Sequence, residues 1–234
     1  MKKRIDTNSK TAAELLAELQ NDESFVQKTA IKKAQKEQNS REYRQNAMPV
    51  LDDLKSAGFH VSNIRELRTK KFKSAIPVLI KWLPNISDVF VKEDIIRTLS
   101  VPWAGAAVPV LLREFSSTID ETNTGVRWAI ANALEVLADD EIFDELVLLI
   151  KNKSLGRSRE MLVLALAKMK RRREDSIQLL IDLLADKEVS GYALSALLKY
   201  RAKIPASYIS PFLNSPQTWI KKDAERYLEI LEAD

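Results

Sequence analysis

Apolar residues recur along this chain at helical spacing, not in alternation. A nine-residue pattern with its apolar residues at the first, fifth and ninth positions appears five times. The copies read Val91-Lys92-x-x-Ile95-x-x-x-Leu99, Val126-Arg127-x-x-Ile130-x-x-x-Leu134, Ser158-Arg159-x-x-Leu162-x-x-x-Leu166, Val189-Ser190-x-x-Ala193-x-x-x-Leu197 and Ile220-Lys221-x-x-Ala224-x-x-x-Leu228. Their starts are 35, 32, 31 and 31 residues apart. Residues at i, i+4 and i+8 form one stripe on a helix. Recurrence at this period predicts a supersecondary unit that stacks on copies of itself.

Each copy follows another apolar segment, so each unit reads as a helical hairpin with the pattern on its second helix. Ser74 is expected to cap a helix through Leu83, with Pro77 tolerated in its first turn. Ser87-Asp88 then start its partner. Val108-Pro109-Val110-Leu111 repeats the Ile76-Pro77-Val78-Leu79 theme 32 residues on, and its partner follows the turn Asn123-Thr124-Gly125. Phe143, Leu146 and Leu149 mark the third pair, which turns at Ser154-Leu155-Gly156. Ile177, Leu180 and Leu184 mark the fourth, which turns at Asp186-Lys187. Tyr208 and Phe212 mark the fifth, which turns at Asn214-Ser215-Pro216. The units span about 74–100, 106–138, 141–169, 174–200 and 205–232. On the last helix Asp223, Glu225, Arg226, Glu229 and Glu232 give a polar face suited to a terminal cap.

Residues 1–70 lack the repeat. Thr11 to Leu19 reads as an amphipathic helix. Ser24 to Gly58 reads as one or two more, with Pro49 as the break and Gly58 as the stop; residues 30–45 are polar enough to be solvated. Ser62 is expected to cap a short piece from Asn63 to Arg68. This region is a helical cap on the first repeat or a separate functional module. The fold class predicted is all-α, an α-solenoid of about five hairpins over 71–234 behind a cap over 1–70, expected as one continuous domain.

Composition adds limits. Five Gly and eight Pro in 234 residues, with 45% apolar positions, suit helix throughout and a continuous core. Cys is absent, which excludes disulfides and thiolate chemistry. Met1-Lys2-Lys3-Arg4 is followed by polar residues and not by the apolar stretch of a secretion signal. No segment has the roughly 18 apolar residues of a membrane span. A soluble cytoplasmic protein is expected. Net charge is +4, distributed as +6 over residues 1–75, −7 over 76–150 and +5 over 151–234. An acidic middle is not the continuous basic stripe of a duplex-binding surface.

An apolar first helix, a short turn, then Val-Arg or Val-Lys opening an Ala/Leu-rich second helix resembles a HEAT-like repeat. The short units resemble the bacterial class found in phycobilisome-lyase-type proteins. Val126-Arg127-Trp128-Ala129-Ile130-Ala131-Asn132-Ala133-Leu134 carries the resemblance most clearly, and it covers about 74–232. It implies that second helices line a concave face where a ligand would sit. It implies too that the second-position cations, Lys92, Arg127, Arg159 and Lys221, tie neighbouring turns together, the alternative being direct ligand contact. Ser158 opening the third copy, and Ser190-Gly191 where a cation is usual, depart from the pattern: a groove floor or divergence.

Positions three and seven point away from the stripe. From them the candidate contact set is Arg97, Trp128, Asn132, Leu164, Ser195 and Arg226. Trp128 is either a binding anchor or a ring lying over the next repeat, while Trp82 and Trp219 are expected in the core or against a neighbouring unit. Lys168, Lys170, Arg171, Arg172 and Arg173 form the strongest basic run, a solvated turn or a patch for an acidic partner or phosphates. Asp139-Asp140-Glu141 with Asp144-Glu145 reads as helix capping. The lone His60 cannot assemble a zinc or iron site, a catalytic triad would have to recruit it, and no Gly-rich phosphate loop occurs. No metal and no cofactor are expected.

The function expected is a non-catalytic protein- or peptide-binding scaffold. The alternative is a nucleic-acid-binding HEAT-like protein resembling alkylpurine DNA glycosylases, with Trp128 and Trp103 as aromatic candidates and Glu93 or Asp94 as the carboxylate.

Overall fold

A computed structural model describes residues 11–15, 22–119 and 125–233 of the 234. The basic start Met1–Arg4, most of the helix expected to Leu19, and Asn123-Thr124 of the turn before Val126 lie outside the described residues. Every regular element described is helical, with no strand. Among the described residues no helix is long and apolar enough to cross a membrane.

The chain forms two compact units, divided between Met48 and Pro49. The expected cap over 1–70 thus falls in both. Helix α1, Glu23–Ser56, opens on Asp22, whose carboxylate accepts from the Ser24 and Phe25 N–H groups at 2.8 and 3.2 Å. Residues 22–42 are exposed throughout, as their polarity predicts. Pro49 does not break the helix: it lies inside α1. Proline removes one bond, to the carbonyl of Gln45, and Gln45 is exposed, so water can serve that oxygen. Gly58 is the stop. With φ +89° it lets its own N–H reach Lys55 and the Phe59 N–H reach Leu54 at 2.8 Å, which satisfies the last carbonyls of the helix.

The unit from Pro49 onward holds the helical repeat array. Its first hairpin pairs α2 (Ile76–Trp82) with α3 (Val89–Leu99), and the second pairs α4 (Val108–Ser117) with α5 (Val126–Leu137). The third pairs α6 (Phe143–Lys151) with α7 (Glu160–Ala165), and the fourth α8 (Arg173–Leu183) with α9 (Ser190–Tyr200). The fifth sets two 3-10 turns, Ala206–Tyr208 and Ser210–Asn214, before α10 (Thr218–Ala233). The second helices pack on one another in order, α3 on α5, α5 on α7, α7 on α9 and α9 on α10.

The repeated stripe is the reason. Of its fifteen positions all are buried except Leu228, which is half-buried. Each fully buried Leu, Ile or Val contributes about 1.5–3 kcal/mol, and each stripe fills the gap between successive layers. Start signals agree in part. Asp88 caps α3 by accepting from the Val91 N–H at 2.9 Å. Ser74 does not cap α2; it sits in a 3-10 turn, Lys73–Ala75, that leads into the helix at Ile76. Asn63, not Ser62, caps the 3-10 turn Ile64–Thr69, while Ser62 bonds the Glu66 carboxylate. In the fifth unit Tyr208 is 46% exposed and Ile209 takes the core position. Pro205 and Pro211 cut that segment into pieces too short for an α-helix.

Of the second-position cations, Lys92 and Arg159 tie one hairpin to the next. Lys92 meets Glu114 at 2.7 Å, and Arg127 donates to the Thr118 carbonyl. Arg159 is the most buried of the set, at 1% exposure. Among the described residues Lys221 makes an exposed contact to Glu225 on its own helix, at 3.8 Å. Helix C-termini are served from the next unit. The Lys168 ammonium reaches the Glu135 and Val136 carbonyls at the end of α5. Likewise Tyr200 donates to Met169 at 2.8 Å, and Tyr227 to Ala202 at 2.7 Å. Burial pushes the Tyr227 hydroxyl up to about 12.

Candidate functional site

The outward positions separate into two groups. Arg97 on α3 is paired along its own helix, Nε to Glu93 at 2.9 Å. Trp128 and Asn132 are half-buried, one turn apart on α5, and the Asn132 amide donates to the Trp128 carbonyl at 3.3 Å. Leu164, Ser195 and Arg226, from α7, α9 and α10, are brought together around one cleft of about 460 Å³. Arg97, Trp128 and Asn132 do not line it.

Leu164, Leu198 and Ile230 give the cleft its apolar lining, with Tyr192 and Trp219 beside them. The two rings are tilted by 58° with centroids 5.2 Å apart. Trp219 packs on a neighbouring unit as expected, but it is not a core residue: it is 40% exposed and its indole N–H donates to Gln217 at 2.9 Å. Ser195 donates to the Asp223 carboxylate. Three cations, Lys199, Arg201 and Arg226, also line the cleft. None has an ion pair or side-chain hydrogen bond among the described residues. Arg201 ends α9 in the left-handed conformation, φ 48°, ψ 46°, with its N–H on Leu198 and the Ala202 N–H on Leu197. Glycine normally takes that place, and a side chain there costs roughly 1–2 kcal/mol.

Tyr192 and Trp219 also line an adjoining cleft of about 380 Å³ with Arg157, Glu160 and Gly191. Burial, and then Glu160 beside it, push the Tyr192 hydroxyl above its ordinary value. Gly191 lines this cleft and is also tight against the next unit. A Cβ there would stand 2.5 Å from Ile220 Cδ1 and 2.8 Å from Trp219 Cη2, so glycine is what lets α10 close onto α9.

The basic run is a different object. Lys168 is engaged on α5, Arg171 pairs with Glu141, and Arg172 meets Asp175 at 2.7 Å while lying 4.2 Å over the Phe143 ring. Arg173 meets Glu174 at 2.9 Å and donates to the Tyr200 carbonyl at 3.0 Å. Lys170 is exposed. The acidic cluster faces this run. Asp139 accepts from the Glu141 N–H at 2.9 Å, as a cap should. Desolvation raises Asp140, yet the Arg171, Arg172 and Lys170 N–H groups hold it below the usual carboxylate range.

Of the residues named for base chemistry, Asp94 is buried and receives Arg65 Nε at 2.7 Å and Arg68 at 3.4 Å. Trp103 is half exposed beside Phe72, with ring centroids 6.1 Å apart. His60 is exposed. Among the described residues no group of three His, Cys, Asp or Glu side chains could hold a metal ion.

Tyr192, Lys199, Arg201, Trp219 and Asp223 were not predicted. Tyr192 and Asp223 stand at position four of their copies, three residues before Ser195 and Arg226 and hence on the same helical face. Reading positions four and seven together would have found both.

No family model matches the chain, and no curated protein matches it. Among solved structures it is similar to a designed armadillo repeat protein, at 15% identity over 82% of this chain and 92% of that one, with a TM-score of 0.48.

Proposed function

We propose that this chain is a non-catalytic protein-binding module of the HEAT-like class, with residues 49–70 closing one end of the array and the second helices presenting the docking face. One observation supports the reading: α3, α5, α7, α9 and α10 form a single stack whose stripe is buried and whose seventh positions, Arg97, Asn132, Leu164, Ser195 and Arg226, are exposed or half-buried. Such a layer offers a long run of side chains on a rigid support and suits an extended peptide or a protein surface.

The test uses the full chain as bait for partners from its native cell. Replacing Arg97 and Trp128 by Ala together is expected to abolish capture of the main partner and leave the thermal midpoint nearly unchanged. Leu148→Ala, on the exposed side of first helix α6 at 72% exposure, is expected to leave capture intact. Capture that survives the double replacement, or that depends on Leu148, overturns the reading.

A further inference from the structure

The cleft between α7, α9 and α10 is lined by three cations and one carboxylate, Asp223, and the cations make no ion pair among the described residues. Lys199, Arg201 and Arg226, all exposed, stand around a recess lined by Leu164, Leu198 and Ile230, with an exposed indole at its edge; the Asp223 carboxylate accepts from Ser195. Arg201 keeps a guanidinium where backbone geometry favours glycine, a local cost that a binding role would explain. We propose that this cleft binds an acidic peptide segment, one apolar side chain entering beside Trp219 and flanking carboxylates meeting the three cations. This rests on the protein-binding reading and names the chemistry of the partner at one place in it.

The alternatives fit less well. A recess of about 460 Å³ takes one or two side chains and no folded surface. A nucleic acid would run its phosphates past the exposed Glu225 and Glu229 of α10, whereas a short acidic segment with one anchor need not. Aromatic and Arg side chains around a recess are the composition of a binding hot spot, and the charges steer an acidic partner toward it.

The probe is a fluorescein-labelled heptapeptide, Asp-Glu-Asp-Phe-Asp-Glu-Asp, titrated with the full chain and followed by anisotropy at about 50 mM salt. Saturable binding is expected, lost when the acids are replaced by Lys and weakened several-fold when Phe is replaced by Ala. Lys199→Glu with Arg226→Glu is expected to weaken it about tenfold or more. Arg201→Gly supplies the second variant, because it should raise the thermal midpoint by about 2 °C while weakening the peptide about threefold. Opposite movement of stability and affinity is not what a misfolded variant shows. Binding that ignores the charge reversals, or a 20-base-pair DNA duplex that displaces the peptide from the same residues, overturns the proposal. Failure of the peptide with capture still sensitive to Arg97 and Trp128 removes this inference and leaves the broader reading; insensitivity of both removes both.

Discussion

Arg159 and Asp186 are 27 residues apart in sequence, and their side chains meet at 2.9 Å. The guanidinium is 1% exposed. It also donates to Glu188 at 3.0 Å, to the Ile150 carbonyl at 3.1 Å and to the Gly156 carbonyl at 3.0 Å. One side chain thereby satisfies the end of α6, the turn of its own unit and the turn of the next. A buried charge is tolerated when its donors are this fully engaged.

Arg159→Met is therefore expected to destabilise the chain by about 3 kcal/mol, since it leaves Asp186 and three other acceptors without their donor. Arg159→Lys should recover less than half, because one ammonium cannot reach four acceptors in a fork. Urea midpoints measure both. A loss under 1 kcal/mol for the Met variant would mean that this ion pair does not hold the third and fourth units together.

Burial pulls the Asp186 carboxyl upward, but Arg159 and the Glu188 N–H together hold it below its usual range. Between the two values the unfolded chain binds a proton that the folded chain does not, so stability rises with pH there. The contribution is complete above about pH 5 and is lost as pH falls below about 4. Asp186→Asn is expected to flatten this part of the stability–pH curve and lower stability at neutral pH. An unchanged acid limb in the variant would assign the titration to other carboxylates.

The five stripes are legible because core burial is a one-dimensional signal: Val91, Ile95 and Leu99 repeat as Val126, Ile130 and Leu134, and helical geometry does the rest. Gly58 is legible for the same reason, since a stop depends on one backbone angle. Pairings between units are harder. The basic run Lys168–Arg173 and the acids Asp139–Asp144 look like separate features until the period is applied, which sets Asp140 31 residues before Arg171 and places them face to face. Trp219 could not be placed without knowing that Gly191 leaves room for it. Proline has no fixed meaning in sequence: Pro49, expected as a break, costs a bond that water can replace, whereas Pro205 and Pro211 divide a segment too short to absorb them. The cleft depends on three helices meeting, and no single stretch of sequence contains it.

Within the basic run, burial and partners separate residues that look equivalent. Lys168 sits on the carbonyl end of α5, with the Val136 oxygen at 3.3 Å and the Glu135 carboxylate at 3.3 Å. Lys168→Ala should cost about 1–2 kcal/mol through lost charge-assisted bonds at a helix C-terminus. Lys170→Ala, at an exposed position, should stay within about 0.5 kcal/mol. Thermal melts of the two variants side by side decide it, and equal losses would contradict the capping role of Lys168.

Gly191 lies inside α9, where an ordinary helical glycine would gain up to about 1 kcal/mol on replacement by Ala. This one touches the next unit, and the added methyl would meet Ile220 Cδ1 at 2.5 Å and Ile220 Cγ1 at 2.9 Å. Overpacking of that kind costs about 1–3 kcal/mol, so Gly191→Ala is expected to destabilise by about 1 kcal/mol net. Ile220→Val removes Cδ1, the atom in closest conflict. In that background Gly191→Ala should cost less than in the parent, though not nothing, because Trp219 Cη2 at 2.8 Å and the remaining Cγ1 at 2.9 Å still crowd the methyl; such a coupling is expected of residues in contact. The rigid indole of Trp219 must also shift in the single variant, so its emission should change together with the melting temperature. A stabilised Gly191→Ala chain with unchanged emission would show that α9 and α10 do not approach as closely as this.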